Sequence, residues 1–311
     1  MIMGFIDQMR AKGHAVESIC RVLRQEGCQI AARTYRAWRR RSASARDTSD
    51  AVLLNVLHDL VGTPEGLYGR RKMTAWLRRQ GHQVGAGRVD RLMRVAGMNG
   101  VRRGRPVRTT IPAKDGHRAG DLLNRDFTAA APNTKWVADF TYVRTWEGFV
   151  YVAFVLDCYS QRILAWHAAT AKTTPLVLTP LRIALWDRDR HGHPVQPGEL
   201  IAHSDAGSQY TSLRFAEHLA AEGIAASIGT VADAYDNALM ECVIGLYKTE
   251  CITTTIFHNG PYKTIADVEY ATAGWVEWYN NRRLHSSLAM TTPAEYETAY
   301  YANLNRELAP A

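Results

Sequence analysis

Residues 148–157 read Gly-Phe-Val-Tyr-Val-Ala-Phe-Val-Leu-Asp, an apolar run with no polar alternation. A strand with one wet face alternates with a period of two. An unbroken β-branched and aromatic run instead fits a strand covered on both faces. Such a strand belongs inside a layered α/β domain, with helices closing the sheet. The flanking sequence supplies the other parts. Trp136 to Tyr142, Arg162 to Ala168, Glu199 to His203 and Ala225 to Gly229 are strand-like, while Thr174 to Asp187, Leu213 to Glu222, Asp236 to Glu250 and Thr264 to Asn281 carry helical spacing. Short turns join the first three strands, which predicts an antiparallel meander.

The resulting order, β-β-β-α-β-α-β-α, is that of ribonuclease H-like domains. The expected fold is therefore α/β: a ribonuclease H-like five-stranded mixed sheet with flanking helices. In that fold the first and fourth strands are neighbours. Asp139 falls in the first strand, Asp205 just past the fourth, and Glu241 inside a helix after a gap of thirty-five residues. Carboxylates brought together repel, so either a proton or a cation joins them. Two Mg²⁺ ions (or Mn²⁺) held by such a set would clamp both oxygens of an in-line phosphodiester displacement, and magnesium prefers carboxylate oxygen. Any one of these acids has an ordinary reading, as a turn former, a strand end or a solvated helix residue. Their joint placement carries the expectation. Asp236 reads as an N-cap, and Asp157 and Asp233 as turn and loop residues outside the site.

Lys248 follows Glu241 by seven residues and Asn237 precedes it by four, so all three share one helix face. Asn237 and Lys248 are expected to touch DNA. His203 shares a strand face with Asp205, and both a phosphate contact and a structural role stay open. Arg282, Arg283 and His285 read either as DNA contacts or as caps of the last long helix.

Charge divides the chain. Residues 1–125 carry 25 Lys and Arg against 10 Asp and Glu, whereas residues 126–311 carry 13 against 20. A basic front half points to a polyanion grip. It reads as all-α. His14 to Glu26 and Ile30 to Arg41 flank Gly27 in a helix-turn-helix-like pattern, with Arg33, Arg36, Arg39, Arg40 and Arg41 on the second helix. Residues 41–50 read as a linker. A second helical unit comprises Ala51 to Val61, a helix entered through Tyr68 to Lys72, and Ala86 to Val95. On the last, Val89, Leu92 and Met93 face inward while Arg88, Arg91 and Arg94 form a basic stripe. Arg102, Arg103, Arg105 and Arg108 lie in an aperiodic stretch read as an extended linker along a DNA backbone. The expected domains are 1–45, an N-terminal helical segment; 50–100, a helix-turn-helix; 101–131, a basic linker; 132–300, the catalytic core; and 301–311, a tail.

Other classes are excluded. No run of eighteen apolar residues exists for a membrane span, and Met1 to Arg10 lacks the apolar stretch of a secretory signal. A cytoplasmic location is expected. The five cysteines form no C-x-x-C pair, which argues against a disulfide framework.

Four segments together resemble the second-frame (OrfB) protein of insertion sequences of the IS-three family, within the DDE transposases and retroviral-type integrases. They are Trp136-x-x-Asp139-x-Thr141-Tyr142; His203-Ser204-Asp205-x-Gly207-Ser208-Gln209-Tyr210; Asp236-Asn237-Ala238-x-x-Glu241 with Lys248-Thr249-Glu250; and Tyr279-Asn280-x-x-Arg283-x-His285-x-x-Leu288 with Thr292-Pro293. Tyr68-Gly69 through Gly97 resembles the family's helix-turn-helix. Ala206 replaces a common Arg, and Val231 to Tyr235 lacks a common glycine. The resemblance implies Asp139, Asp205 and Glu241 as ligands of Mg²⁺ or Mn²⁺, nicking of double-stranded DNA at a transposon end, and attack by the freed 3′-OH. It also implies a homo-oligomer on DNA and an upstream first-frame partner (OrfA) or frameshift fusion. Rival expectations are a nuclease of the same fold and a non-catalytic DNA-binding regulator.

Overall fold

The computed structural model describes residues 2–102, 122–123, 126–205, 209–210, 212–228 and 237–308, with the side chains of 307 and 308 excepted. The chain divides into two compact units, Met1–Val56 and Leu57–Ala311.

The first unit holds α1 (Ile2–Ala11), α2 (Val16–Gln25), α3 (Ala32–Arg40) and most of α4 (Ala45–Asp59). Gly27, at φ +84°, ends α2, and the amide of Cys28 returns to the carbonyl of Leu23 at 2.7 Å. A left-handed glycine there satisfies carbonyls the helix end would leave bare. Ile6, Ile19, Cys20, Ile30 and Tyr35 form the core. Two expectations need correction. The first helix went unseen in sequence, and residues 45–50 are helical rather than linker, because Ser44 caps α4 through Asp47 (Ser44 Oγ to Asp47 Oδ2, 2.7 Å; Asp47 N to Ser44 Oγ, 3.1 Å).

In the second unit, α5 (Arg70–Arg79) and α6 (Ala86–Val95) pair through Met73, Leu77, Val89, Leu92 and Met93, all buried. They do not stand apart from the α/β layers. The Trp278 indole donates to Glu65 at 3.0 Å. The Tyr68 hydroxyl donates to the Arg282 carbonyl at 3.3 Å and accepts the Leu284 amide at 3.0 Å, and Arg79 pairs with Glu295.

The sheet contains β1 (Lys135–Thr145), β2 (Gly148–Asp157), β3 (Ile163–Ala169), β4 (Ile201–Ser204) and β5 (Ala225–Ile228), in the order β3-β2-β1-β4-β5. The meander is antiparallel, and β4 joins β1 in parallel. The apolar run is β2, covered as expected. Ala153 and Val155 pack in the cluster with α7 (Thr174–Arg190) and α8 (Leu213–Ala221). Phe154 meets Tyr247 and Trp275 edge-on at 5.1 and 6.2 Å on the other side. Each such buried side chain contributes about 1.5–3 kcal/mol.

The predicted helix over 236–250 is α9 (Ala238–Leu246) running into a π-helical stretch, Tyr247–Ile252. Asp236 lies outside the described residues, and Asn237 occupies the N-cap. The helix α10 (Ile265–Asn281) starts in a capping box of Thr264 and Asp267. It is not the last: α11 (Pro293–Leu308) follows and runs into the expected tail at 301–311. Its Glu297 meets Arg188, and its Tyr301 stacks on His193 at 3.6 Å. The end of the expected linker also docks, since Leu123 is buried and the Leu122 amide donates to Ser227 at 2.9 Å.

Candidate active site

The parallel pairing of β1 with β4 sets Ala138 opposite Ser204. Asp139 follows on β1 and Asp205 is the first residue past β4, so their backbones are neighbours across a spacing of about 4.8 Å. Asn237, at the start of α9, is buried and donates its amide to the Ala138 carbonyl at 3.3 Å. That bond ties α9 to β1 beside Asp139, and Glu241 follows one helical turn later.

The electrostatics agree with this convergence. Burial raises the Asp139 carboxyl well above its ordinary range, Asp205 and Glu241 push it further, and the Phe140 amide and Lys248 pull the other way. The Phe140 amide reaches Asp139 Oδ1 at 2.7 Å. Lys248 is half-buried, its ammonium disfavoured by burial and favoured by Asp139, and lies 5.1 Å from the centre of the Tyr142 ring. Among the described residues no three His, Cys, Asp or Glu side chains are arranged to hold one metal ion together. The acids thus approach without closing into a three-ligand cage. As a donor set they still suit a hard divalent cation, being carboxylate oxygens whose mutual repulsion a cation relieves.

Sequence reasoning assigned Tyr210 no role. It is buried, packs on Phe140 and Phe215, and has no hydrogen-bond partner for its hydroxyl among the described residues. Burial, then Asp139 and Asp205, push its phenol well above the usual value. Its place five residues after Asp205 was the available signal, but strand pattern does not say where a loop residue turns.

Several expected DNA contacts are internal instead. Arg283 is buried in an ion pair with Glu250 (Nε to Oε2, 2.9 Å). His285 is buried with Nε2 3.2 Å from the Tyr279 carbonyl. Asn237 serves the backbone of β1 as described. A buried, satisfied polar group is removed from any incoming phosphate, so Arg283 and His285 are corrected to structural roles, whereas Asn237 ties α9 to β1 through its amide nitrogen and its Oδ1 has no hydrogen-bond partner among the described residues. His203 resolves the same way, sharing a 2.8 Å hydrogen bond with Ser227. Arg282 stays exposed beside Glu277. On α6, Arg94 is exposed and paired with Asp90, while Arg88 and Arg91 are half-buried. Arg102 is exposed; Arg103, Ala206 and Val231 to Tyr235 lie outside the described residues.

A five-stranded mixed sheet carrying acids on its two central neighbouring strands and on a flanking helix is the ribonuclease H-like arrangement of polynucleotidyl transferases. Comparison with known proteins agrees. Residues 129–234 and 222–293 match models of the integrase core domain, and residues 52–106 match an HTH-like domain. A protein of insertion sequence element IS986/IS6110 from Mycobacterium tuberculosis is 44% identical over 90% of this chain and 99% of its own. The transposase for insertion sequence element IS629 of Shigella sonnei is 44% identical over 85% of each chain. Among solved structures, the simian T-cell lymphotropic virus intasome aligns with 15% identity over 74% of this chain and 70% of that one, at a TM-score of 0.45. The chain belongs to the IS-three family of insertion-sequence transposases. It is a DDE transposase whose catalytic part is an integrase core.

Proposed function

We propose that Asp139, Asp205 and Glu241 are the catalytic, metal-holding residues of this transposase, with two Mg²⁺ (or Mn²⁺) as cofactor and double-stranded transposon ends and target DNA as substrates. The observation that carries the reading is the register of β1 with β4, which makes Asp139 and Asp205 neighbours, with burial and like charge both raising the Asp139 carboxyl. Bound divalent cations supply Lewis-acid stabilisation of the attacking and leaving oxygens of a phosphodiester.

The chain's own residues do the rest. Asp139 and Asp205, brought together by the paired strands, would hold a divalent cation, which would relieve the repulsion that helps raise the Asp139 carboxyl. Glu241 completes the set from α9, whose position Asn237 holds. Lys248, beside Asp139, grips the phosphate next to the scissile bond. Arg88, Arg91, Arg94, Arg102, Arg103 and Arg282 are proposed to hold DNA backbone farther out, where each contact contributes affinity and salt dependence without sequence information. The reaction is nicking at the element's end, then attack of the freed 3′-OH on a second phosphodiester. It takes place in the cytoplasm, in a homo-oligomer on paired ends, with an upstream first-frame product as partner or fusion.

The test is a labelled duplex carrying the element's terminal repeat, with Mg²⁺ and wild-type or Glu241→Gln protein, alone and fused to the first frame. Nicking and joining by wild type, both absent in the variant, is the expected result. Nicking without joining would favour a nuclease, and no product from any wild-type form a DNA-binding regulator.

A further inference from the structure

Next to the acids lies an exposed aromatic surface that none of the chemistry above uses. Trp146, at the tip of the β1–β2 hairpin, is 71% exposed; Phe149 is 50% and Tyr142 38% exposed. An indole this open is expensive to leave in water, and grouped exposed aromatics mark binding surfaces. The tip is not loose. The amides of Trp146 and Glu147 donate to the carbonyls of Tyr262 and Lys263 at 3.1 and 3.2 Å, and the Thr145 hydroxyl donates to the Gly148 carbonyl at 2.8 Å. Tyr262 in turn is buried and donates its hydroxyl to the Cys251 carbonyl, three residues past Lys248. The hairpin tip is thus tied to the segment that bears Lys248.

Charge accompanies the rings. Lys263 lies 5.2 Å from the centre of the Trp146 ring and Lys248 5.1 Å from that of Tyr142. Tyr142 and Phe149 meet edge-to-face at 5.1 Å. Arg144 is exposed between them, and Glu147 is the one acid at the tip. Rings interleaved with cations are the composition that binds single-stranded nucleic acid, with bases stacking on the rings while the cations track phosphate. From Asp139 to Thr145 β1 covers about 20 Å, the length of about six stacked nucleotides.

We propose that Trp146, Phe149 and Tyr142 form a stacking platform for the unpaired bases of a DNA strand that passes Lys248 on its way to or from the active site. The proposal rests on the reading of Asp139, Asp205 and Glu241 as the centre that cuts DNA. It adds that the end is received frayed, with bases out of the duplex, and it names the residues that keep them so.

The test uses the full-length protein and a duplex of arbitrary sequence, since stacking tolerates any base. One form is blunt; the other ends in a single-stranded tail of about six nucleotides containing 2-aminopurine, whose fluorescence falls on stacking. Wild type is expected to quench the probe and to favour the tailed duplex roughly tenfold, the effect of one lost stacking contact. Trp146→Ala abolishes quenching and preference while leaving blunt-duplex affinity and the melting midpoint unchanged, because the indole is exposed. Trp146→Phe restores part of both. Unchanged quenching in Trp146→Ala and in the Trp146→Ala/Phe149→Ala pair overturns the proposal. So does a fall in sedimenting mass with quenching intact, which would give the surface to a second copy of the chain. Glu241→Gln on the terminal-repeat duplex separates the two readings: quenching by both proteins with cleavage undiminished in the variant sinks the catalytic assignment and keeps the platform, and cleavage by wild type that the variant lacks, without quenching by either, does the reverse.

Discussion

The core domain holds two sets of carboxylates removed from solvent, and they are given different neighbours. Asp157 and Glu297 are buried with Arg188 between them (3.7 Å from Asp157) and Arg162 at 3.1 Å from Glu297. Asp157 also accepts the amides of Asn133, Tyr159 and Ser160 at 2.8, 2.9 and 3.0 Å. Burial raises its carboxyl, but those amides and Arg188 oppose it; Glu297, despite burial, is held low by Arg188. Asp139 has a single amide, a half-buried Lys248 and two acids for neighbours. Acids that stabilise the fold are given guanidinium and amide partners that offset their burial. Asp139, set toward two other acids, has its carboxyl raised by them and by burial, the kind of environment that suits a cation-dependent site.

Breaking the demanding set gives the largest effect. Asp139→Asn or Glu241→Gln is expected to lower the nicking rate at least a thousandfold, about 4 kcal/mol, with the melting midpoint unchanged or raised in metal-free buffer. Rates near wild type would remove both residues from the site. Breaking the satisfied set does the converse. Arg188→Met leaves buried Asp157 without its cation and Glu297 with Arg162 alone, and is expected to cost about 3–5 kcal/mol in urea unfolding, with the DNA-cutting rate per folded molecule retained. Adding Asp157→Asn and Glu297→Gln returns part of that loss if pairing is the cause.

A smaller effect sharpens the comparison from a third buried group. Burial first, then Arg283 and Lys72, hold the His285 imidazole well below its ordinary value of 6.5. Because the folded form then binds fewer protons than the unfolded chain, its contribution to stability is full above pH 6.5 and is lost as pH falls through that region toward the depressed folded value. Unfolding free energies of His285→Gln measured from pH 8 to 5 are expected to fall less steeply than those of wild type. The smallest change is Tyr210→Phe, which removes the phenol facing the two aspartates. It is expected to slow nicking severalfold, about 1 kcal/mol, at unchanged stability; a loss as large as that of Glu241→Gln would make the hydroxyl part of the reaction.

Much of this was legible without coordinates. The run at 148–157 demanded a doubly covered strand and became β2 with those bounds, and the element order placed Asp139 and Asp205 on adjacent strands before any register was known. Periodicity is local, set by where each Cβ points within a few residues, so it reads directly from the chain. Helix α1 escaped because Met1 to Arg10 was read only for the lack of a secretory signal within the expected helical segment 1–45, and α11 because Thr292-Pro293 was taken as an ending rather than as a helix start.

The sequence by itself therefore determined the strands, most of the helices and the neighbourhood of Asp139 and Asp205. Only tertiary structure decided which charges remain available. Arg283 meets Glu250 across 33 positions and Arg188 meets Glu297 across 109, and both guanidiniums vanish into the interior while Arg282, one residue away, stays at the surface. The reason is physical: a side chain's charge is written in the sequence, but its desolvation and its partner belong to the packed fold, and those two terms decide whether it holds the protein together or meets DNA.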